Sequence, residues 1–273
     1  MNPLRTRPTL RRHLLAAAAA AFSFASAQAT VTATLPPNTF GDFTESITYG
    51  ATGGIFELQP YLFITSLGGG APAKDVVGGS SLLSYSFSSA NKTAGLFTID
   101  YTITNLSAST TFNNLRFMVF ANPDGDPAPL FTDVLSETWG AATPNGPAAR
   151  RGVVASTPDI RSEFQVANTL ADTGIAPACT LAAGCDATLG LQWNAAQLKP
   201  GEQFVVQVGI SDDGSTLSSR FLTATAASGA ATVLTFSGTG VITAVPEPAS
   251  WAIMLAGLGA IGFVARRRAG ARQ

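Results

Sequence analysis

The run Phe97-Thr98-Ile99-Asp100-Tyr101-Thr102-Ile103-Thr104 alternates apolar and polar residues without an error. A period of two belongs to a strand with one buried and one wet face, and it excludes an amphipathic helix. Leu115-Arg116-Phe117-Met118-Val119-Phe120 predicts a second strand. Gly54 to Leu67, Leu82 to Ser88, Phe204 to Ile210, Arg220 to Ala226 and Thr232 to Ile242 predict five more. Turn chemistry separates them: Asn122-Pro123-Asp124-Gly125-Asp126, Lys199-Pro200-Gly201-Glu202 and Ser211-Asp212-Asp213-Gly214. No stretch between residues 30 and 244 sustains a helical repeat. The expected class is therefore all-β, an antiparallel β-sandwich. Residues from about 136 to 190, rich in Ala, Pro and Gly, read as an irregular insertion with a short helix near Ser162 to Leu170. No linker breaks the region before Val245, which favours one domain over 30–244.

Both ends differ from this body. Residues 1–13 carry four arginines and no acid, and an alanine-rich run of eleven residues follows from Leu14 to Phe24. It ends in Ala25-Ser26-Ala27-Gln28-Ala29. A basic start, a short apolar helix of roughly 16 Å and small residues at the cleavage position form an export signal, too short to span a bilayer. Cleavage is expected after Ala29, with Ala27 as the alternative, giving a signal peptide over 1–29. Arg11-Arg12 has the look of a twin-arginine signal, but Leu10 stands where Ser or Thr is usual, which favours general secretion.

The other end reads Val245-Pro246-Glu247-Pro248 followed by Ala249 to Ala265, 17 residues without a charge, and then Arg266-Arg267-Arg268. Two prolines fix φ and remove amide donors, so the segment around Glu247 is expected to stay extended. The uncharged run spans about 25 Å as a helix, enough for a thin or locally thinned bilayer. The arginines are a stop-transfer cluster held on the cytoplasmic side, which leaves Glu247 and the body outside. Ala256, Gly257, Gly259, Ala260 and Gly262 make one helix side small enough for close helix contact in lipid.

The order Pro246-Glu247-Pro248, an apolar helix through Trp251, Leu255, Gly259 and Phe263, and then Arg266, Arg267 and Arg268 resembles the PEP-CTERM sorting signal. The resemblance covers residues 245–273 and implies processing by an exosortase, a membrane cysteine transpeptidase, in a Gram-negative bacterium that makes exopolysaccharide. It implies handling and destination, not the activity of the cargo. A plain C-terminal anchor is the alternative. Separately, Leu96 to Asp126 resembles immunoglobulin-like modules of bacterial surface proteins, in which a strand ending Thr-Asn-Leu-Ser crosses a loop into the next. The sandwich is thus expected to be immunoglobulin-like or jelly-roll-like, flanked by an N-terminal signal helix and a C-terminal transmembrane helix.

Charge and residue types narrow the chemistry. Eight of the 16 basic residues stand in the two ends, whereas 16 of the 17 acids lie between Thr30 and Ala244. An acidic body repels phosphate backbones, so nucleic acid is not an expected partner. The single histidine, His13, lies in the signal. Its loss removes Ser-His-Asp and Cys-His catalysis and every histidine-bearing metal site. No phosphate loop or dinucleotide fingerprint is present. Cys179 and Cys185, six residues apart in an exported chain, are expected to form a loop-pinning disulfide, not a Cys-x-x-Cys redox pair.

Three readings of the body follow. The first is a non-enzymatic surface or matrix protein, associated with exopolysaccharide or biofilm, with no catalytic residues, cofactor or metal. Its partners are signal peptidase, an exosortase, the membrane through the C-terminal helix, and exopolysaccharide. It is transiently anchored in the inner membrane and then held at the outer surface or in the matrix. The second is a carbohydrate- or calcium-binding module, with Asp124-x-Asp126 and Asp212-Asp213 offering hard oxygens and Trp139 and Trp193 offering rings. Asp in turns more often bonds neighbouring amides. Arg150, Arg151 and Arg161 form a local basic patch. The third is a hydrolase using paired carboxylates drawn from Asp100, Asp133, Glu137, Asp159 and Glu163.

Overall fold

A computed structural model describes residues 31–33, 43–50, 53–93, 95–126, 130–156, 160–229, 232–245, 256–258 and 260–261. Two sheets face each other. The first holds β1 (Thr32–Ala33), β2 (Phe43–Tyr49), β3 (Gly53–Ile64), β4 (Gly68–Pro72), β7 (Phe112–Asp124), β9 (Ala149–Val154), β10 (Gly174–Ile175) and β11 (Ala187–Leu198). Its order is β1-β2-β3-β7-β11-β9-β10, with β4 on β3. The second holds β5 (Leu83–Thr93), β6 (Leu96–Asn105), β8 (Asp133–Trp139), β12 (Glu202–Ser211), β13 (Arg220–Ala226) and β14 (Val233–Ala244), in the order β5-β6-β12-β14-β13-β8. Neighbours are antiparallel except β9 and β10. The expected β-sandwich is present. The stretch Leu96 to Asp126 crosses between the sheets, β6 lying in one and β7 in the other.

Alternation explains the core. Phe97, Ile99, Tyr101 and Ile103 of β6 are buried, as are Phe204, Val206, Val208 and Ile210 of β12. They meet Leu115, Phe117 and Val119 of β7 and Leu189, Leu191 and Trp193 of β11. Phe117 interdigitates between Tyr101 and Phe204, at ring-centroid distances of 5.3 and 6.5 Å. Trp193 needs glycine opposite it: a Cβ on Gly238 would stand 2.5 Å from its ring, and one on Gly240 2.9 Å.

A bulge in β3 changes what the outer face carries. Ile55 pairs with Pro123 and Glu57 with Asn122, leaving Phe56 as the extra residue. One extra residue flips the parity of everything after it. Leu58, Leu62 and Ile64 therefore enter the main core, while Glu57, Gln59, Tyr61 and Phe63 take the opposite face. There Tyr61, Met118, Phe120, Ala149 and Val153 form a second, smaller core with Ile160, Phe164 and Leu170.

The partner in that second core corrects the reading of 136–190 as irregular. The region contains the end of β8, all of β9 and β10, and the first residues of β11. Between β9 and β10 a strap lies across the outer face of the first sheet. It holds a helical turn α1 over Ile160–Ser162 and a π-helical turn over Glu163–Ala167, close to the short helix expected at 162–170. Buried Gln192 of β11 accepts from the Leu170 amide at 2.8 Å and pins it. β9 was hidden in sequence because its arginines are neutralised by acids from other elements, and β11 because its polar face is covered by the strap.

The signal segment, with Ala27 and Ala29, lies outside the described residues. So do Pro246, Glu247, Pro248, Trp251, Leu255, Gly259, Phe263 and Arg266 to Arg268. Of the expected helix over 249–265, residues 256–258 and 260–261 are helical. Among the described residues no helix is long and apolar enough to cross a membrane.

Candidate functional site

The way the chain leaves the sandwich is the best-defined feature near the tail. The β12–β14 ladder runs unbroken to the pair Glu202–Ala244. The Val245 amide then donates to the Gly201 carbonyl at 2.8 Å, and the Gly201 amide to Asn105 O at 3.1 Å. Ordered backbone pairing thus continues to the residue before Pro246, three residues beyond the strand end expected at Ile242. The buried groups that close this exit end are neutral, while in its exposed turn the Glu202 carboxylate accepts from the Lys199 amide at 2.7 Å. The buried Asn105 side chain donates to Thr110 O at 2.8 Å and Leu198 O at 3.0 Å. Leu82 and Leu106, joined by a backbone bond of 2.8 Å, are 40% and 58% exposed, and Leu67 is 39% exposed in the turn after β3.

The opposite end is closed by acids and a disulfide. Cys179 and Cys185 are bonded, and Cys185 exchanges two backbone hydrogen bonds with Asp133, at 2.8 and 3.0 Å. Asp133 is fully buried, and its Oδ1 accepts from the Gly125 amide at 3.1 Å. Burial, reinforced by Asp124, Asp126 and Asp186 and only partly opposed by the Gly125 bond, pushes its carboxyl up to about 8. Asp124 is pushed up to about 6, mainly by burial and then by Asp186. Asp126 goes the other way. Burial raises it, but bonds from the Ser228 hydroxyl and amide and from the Thr132 hydroxyl outweigh that and hold it below the usual carboxylate range. Burial, with help from Asp133, drives the Tyr49 hydroxyl upward.

The sequence from 244 to 268 matches the family model of the PEP-CTERM protein-sorting motif. The chain carries a PEP-CTERM sorting motif. It is therefore an exported protein with a C-terminal membrane-anchoring signal, targeted to an exosortase. No curated protein and no solved structure matches the chain. The PEP-CTERM motif begins at the last residue of β14, so cargo and sorting signal adjoin without a spacer.

Other residues singled out in the PEP-CTERM cargo are engaged in packing. Arg150 pairs with Glu137 at 2.8 Å and Asp172 at 2.9 Å, Arg151 with Glu163 at 2.8 Å, and Arg161 with Glu57 at 2.8 Å. The expected basic patch is thus a set of ion pairs tying the strap to the sheets. Trp193 is a core residue, whereas Trp139 is stacked between the Arg150 and Arg220 guanidinium groups, at 4.7 and 4.8 Å. The carboxylates weighed for hydrolysis are engaged separately. Glu137 and Glu163 sit in ion pairs, Asp133 takes Gly125, and Asp100 accepts from the Gln207 amide at 2.5 Å. Asp159 lies outside the described residues. Asp213 accepts from the Ser215 amide at 2.9 Å, as turn aspartates do, whereas Asp212 accepts at 2.9 Å from the amide of Gly50, in the turn after β2 and 162 residues away in sequence. Among the described residues no three His, Cys, Asp or Glu side chains assemble into a metal site.

One polar cleft of about 430 Å³ lies between β3 and the strap, lined by Glu57, Gln59, Tyr61, Arg161, Ser162 and Gln165 together with Pro72. Nothing in sequence announced it, because it depends on the Phe56 bulge. Its floor is Gln59, 6% exposed, which accepts from the Tyr61 hydroxyl. Arg161 reaches both oxygens of Glu57 at 2.8 Å while stacking on Phe120 at 4.7 Å.

Proposed function

We propose that this chain is a non-enzymatic surface or extracellular-matrix protein, anchored transiently in the inner membrane, processed by an exosortase and then associated with exopolysaccharide or biofilm. The observation that carries the reading is the PEP-CTERM motif directly following the last strand of a disulfide-bonded sandwich. In it, signal peptidase removes the front segment, the 249–265 helix holds the protein during transit, and Glu247 is the residue read by the processing enzyme. Fractionation of cells expressing Glu247→Ala, or a chain truncated after Ala244, tests it. Wild type yields a tail-less form outside the inner membrane, and polysaccharide digestion releases that form. Identical processing and location of the Glu247→Ala protein refutes the motif's role and leaves a plain anchor.

A second reading, a carbohydrate-binding module in the same place, draws support from the cleft over Gln59. The buried amide of Gln59 and the exposed one of Gln165, beside an ion pair, offer paired donors and acceptors of the kind that recognise hydroxyl groups. Titration with the host's purified polysaccharide should saturate for wild type and weaken at least tenfold in Gln59→Leu (about 1.4 kcal/mol). Equal affinity of both proteins counts against it.

A further inference from the structure

We infer that, while the tail is anchored, the exit end of the sandwich rests on the bilayer surface, with Leu82 and Leu106 in the headgroup layer and the acidic end pointing away. The inference rests on the tail being a membrane anchor, and adds where the cargo sits. Three residues, Pro246, Glu247 and Pro248, separate Val245 from the uncharged run that starts at Ala249. Four Cα steps reach at most about 14 Å. The headgroup layer takes up roughly 5–7 Å of that on one side of the bilayer. Val245 is itself fixed to Gly201, so the slack cannot be extended without breaking the sheet. The end carrying Gly201, Leu106 and Leu82 is therefore held against the lipid surface for as long as the helix is embedded.

Surface chemistry agrees with that placement. Half-exposed leucines on short loops suit the boundary between headgroups and acyl chains. At the opposite end stand Asp124, Asp126 and Asp186 around the buried, protonated Asp133, with Asp212 and Asp213 in the turn after β12. Exposed Phe56, Leu130, Phe131 and Leu181 also lie there, but among those aspartates. An anionic bilayer repels that end, whereas at the exit end Lys199 balances Glu202. The ten residues of β12 separate the two ends by about 34 Å.

The test uses the chain without residues 1–29 and with its tail intact, in liposomes of phosphatidylethanolamine and phosphatidylglycerol, some lipids bearing a headgroup nitroxide. A single cysteine is placed at Leu82, Leu106 or Leu181 and labelled with a fluorophore, the native pair remaining oxidised. Quenching should be about threefold or more stronger at 82 and 106 than at 181, given the height difference of about 34 Å. A twelve-residue Gly-Ser insertion after Val245 should lower it at 82 and 106. Alkaline extraction is run in parallel. A chain that resists extraction yet shows equal quenching at all three positions overturns the docking alone. A chain that alkali releases overturns the anchor reading beneath it.

Discussion

The two ends of the sandwich are closed by opposite means. At the exit end, backbone bonds from Val245 and Gly201, the buried amide of Asn105 and the leucines around it do the work, with no buried charge. At the far end, two fully or nearly fully buried aspartates, a disulfide and the Ser228 and Thr132 hydroxyls converge on one knot. Neutral closure is indifferent to compartment. Carboxylate and disulfide closure depends on proton and redox state, so the far end is completed only where thiols are oxidised, the compartment to which the PEP-CTERM motif directs the chain.

The largest expected difference concerns pH. Asp133 keeps its proton in the folded protein up to about pH 8, while the unfolded chain releases it near 3.8. Unfolding then releases a proton throughout that window, so raising pH from 4 to 8 weakens the fold, by as much as about 1.4 kcal/mol per pH unit from this group. Asp124 adds to the slope at its lower end. Urea unfolding of Asp133→Asn should show a flatter pH profile and higher stability than wild type at pH 8 to 9. An unchanged profile would break the contrast at its strongest point. Next comes Asp126→Ala, which strands the Ser228 and Thr132 donors and should cost about 3 kcal/mol at pH 7. Replacing both cysteines by serine opens a loop of six-residue separation and should cost about 2 kcal/mol by denaturant melt, as reductant should for wild type. The smallest change is expected at the exit end. Leu106→Ser, on a 58% exposed side chain, should shift stability by less than about 0.5 kcal/mol. A loss above 1 kcal/mol there would show that the leucines belong to the fold and not to a surface.

Strands that bury one face were legible, because Ile99, Tyr101 and Ile103 announce their own side of β6. β11 escaped although Leu189, Leu191 and Trp193 alternate, since Gly190 and Gln192 are covered by a strap that sequence periodicity does not reveal. β9 escaped because Arg150 and Arg151 become strand residues only when Glu137, Asp172 and Glu163 arrive from elsewhere. Cys179 and Cys185 were readable from their spacing and compartment. The burial of Asp126 was not, as its partner Ser228 lies 102 residues away. The tail carried its meaning in local order and needed no tertiary information. The missing spacer before it did, because β14 had to be seen running on to Ala244.

Intact mass spectrometry of the protein recovered outside the inner membrane tests the central claim directly. The account predicts a chain that starts after Ala29 or Ala27, has lost the apolar run and the arginines of the tail, and is two hydrogens lighter for the bond between Cys179 and Cys185. A cytosolic species retaining Met1 through Gln273 with both thiols free would contradict it.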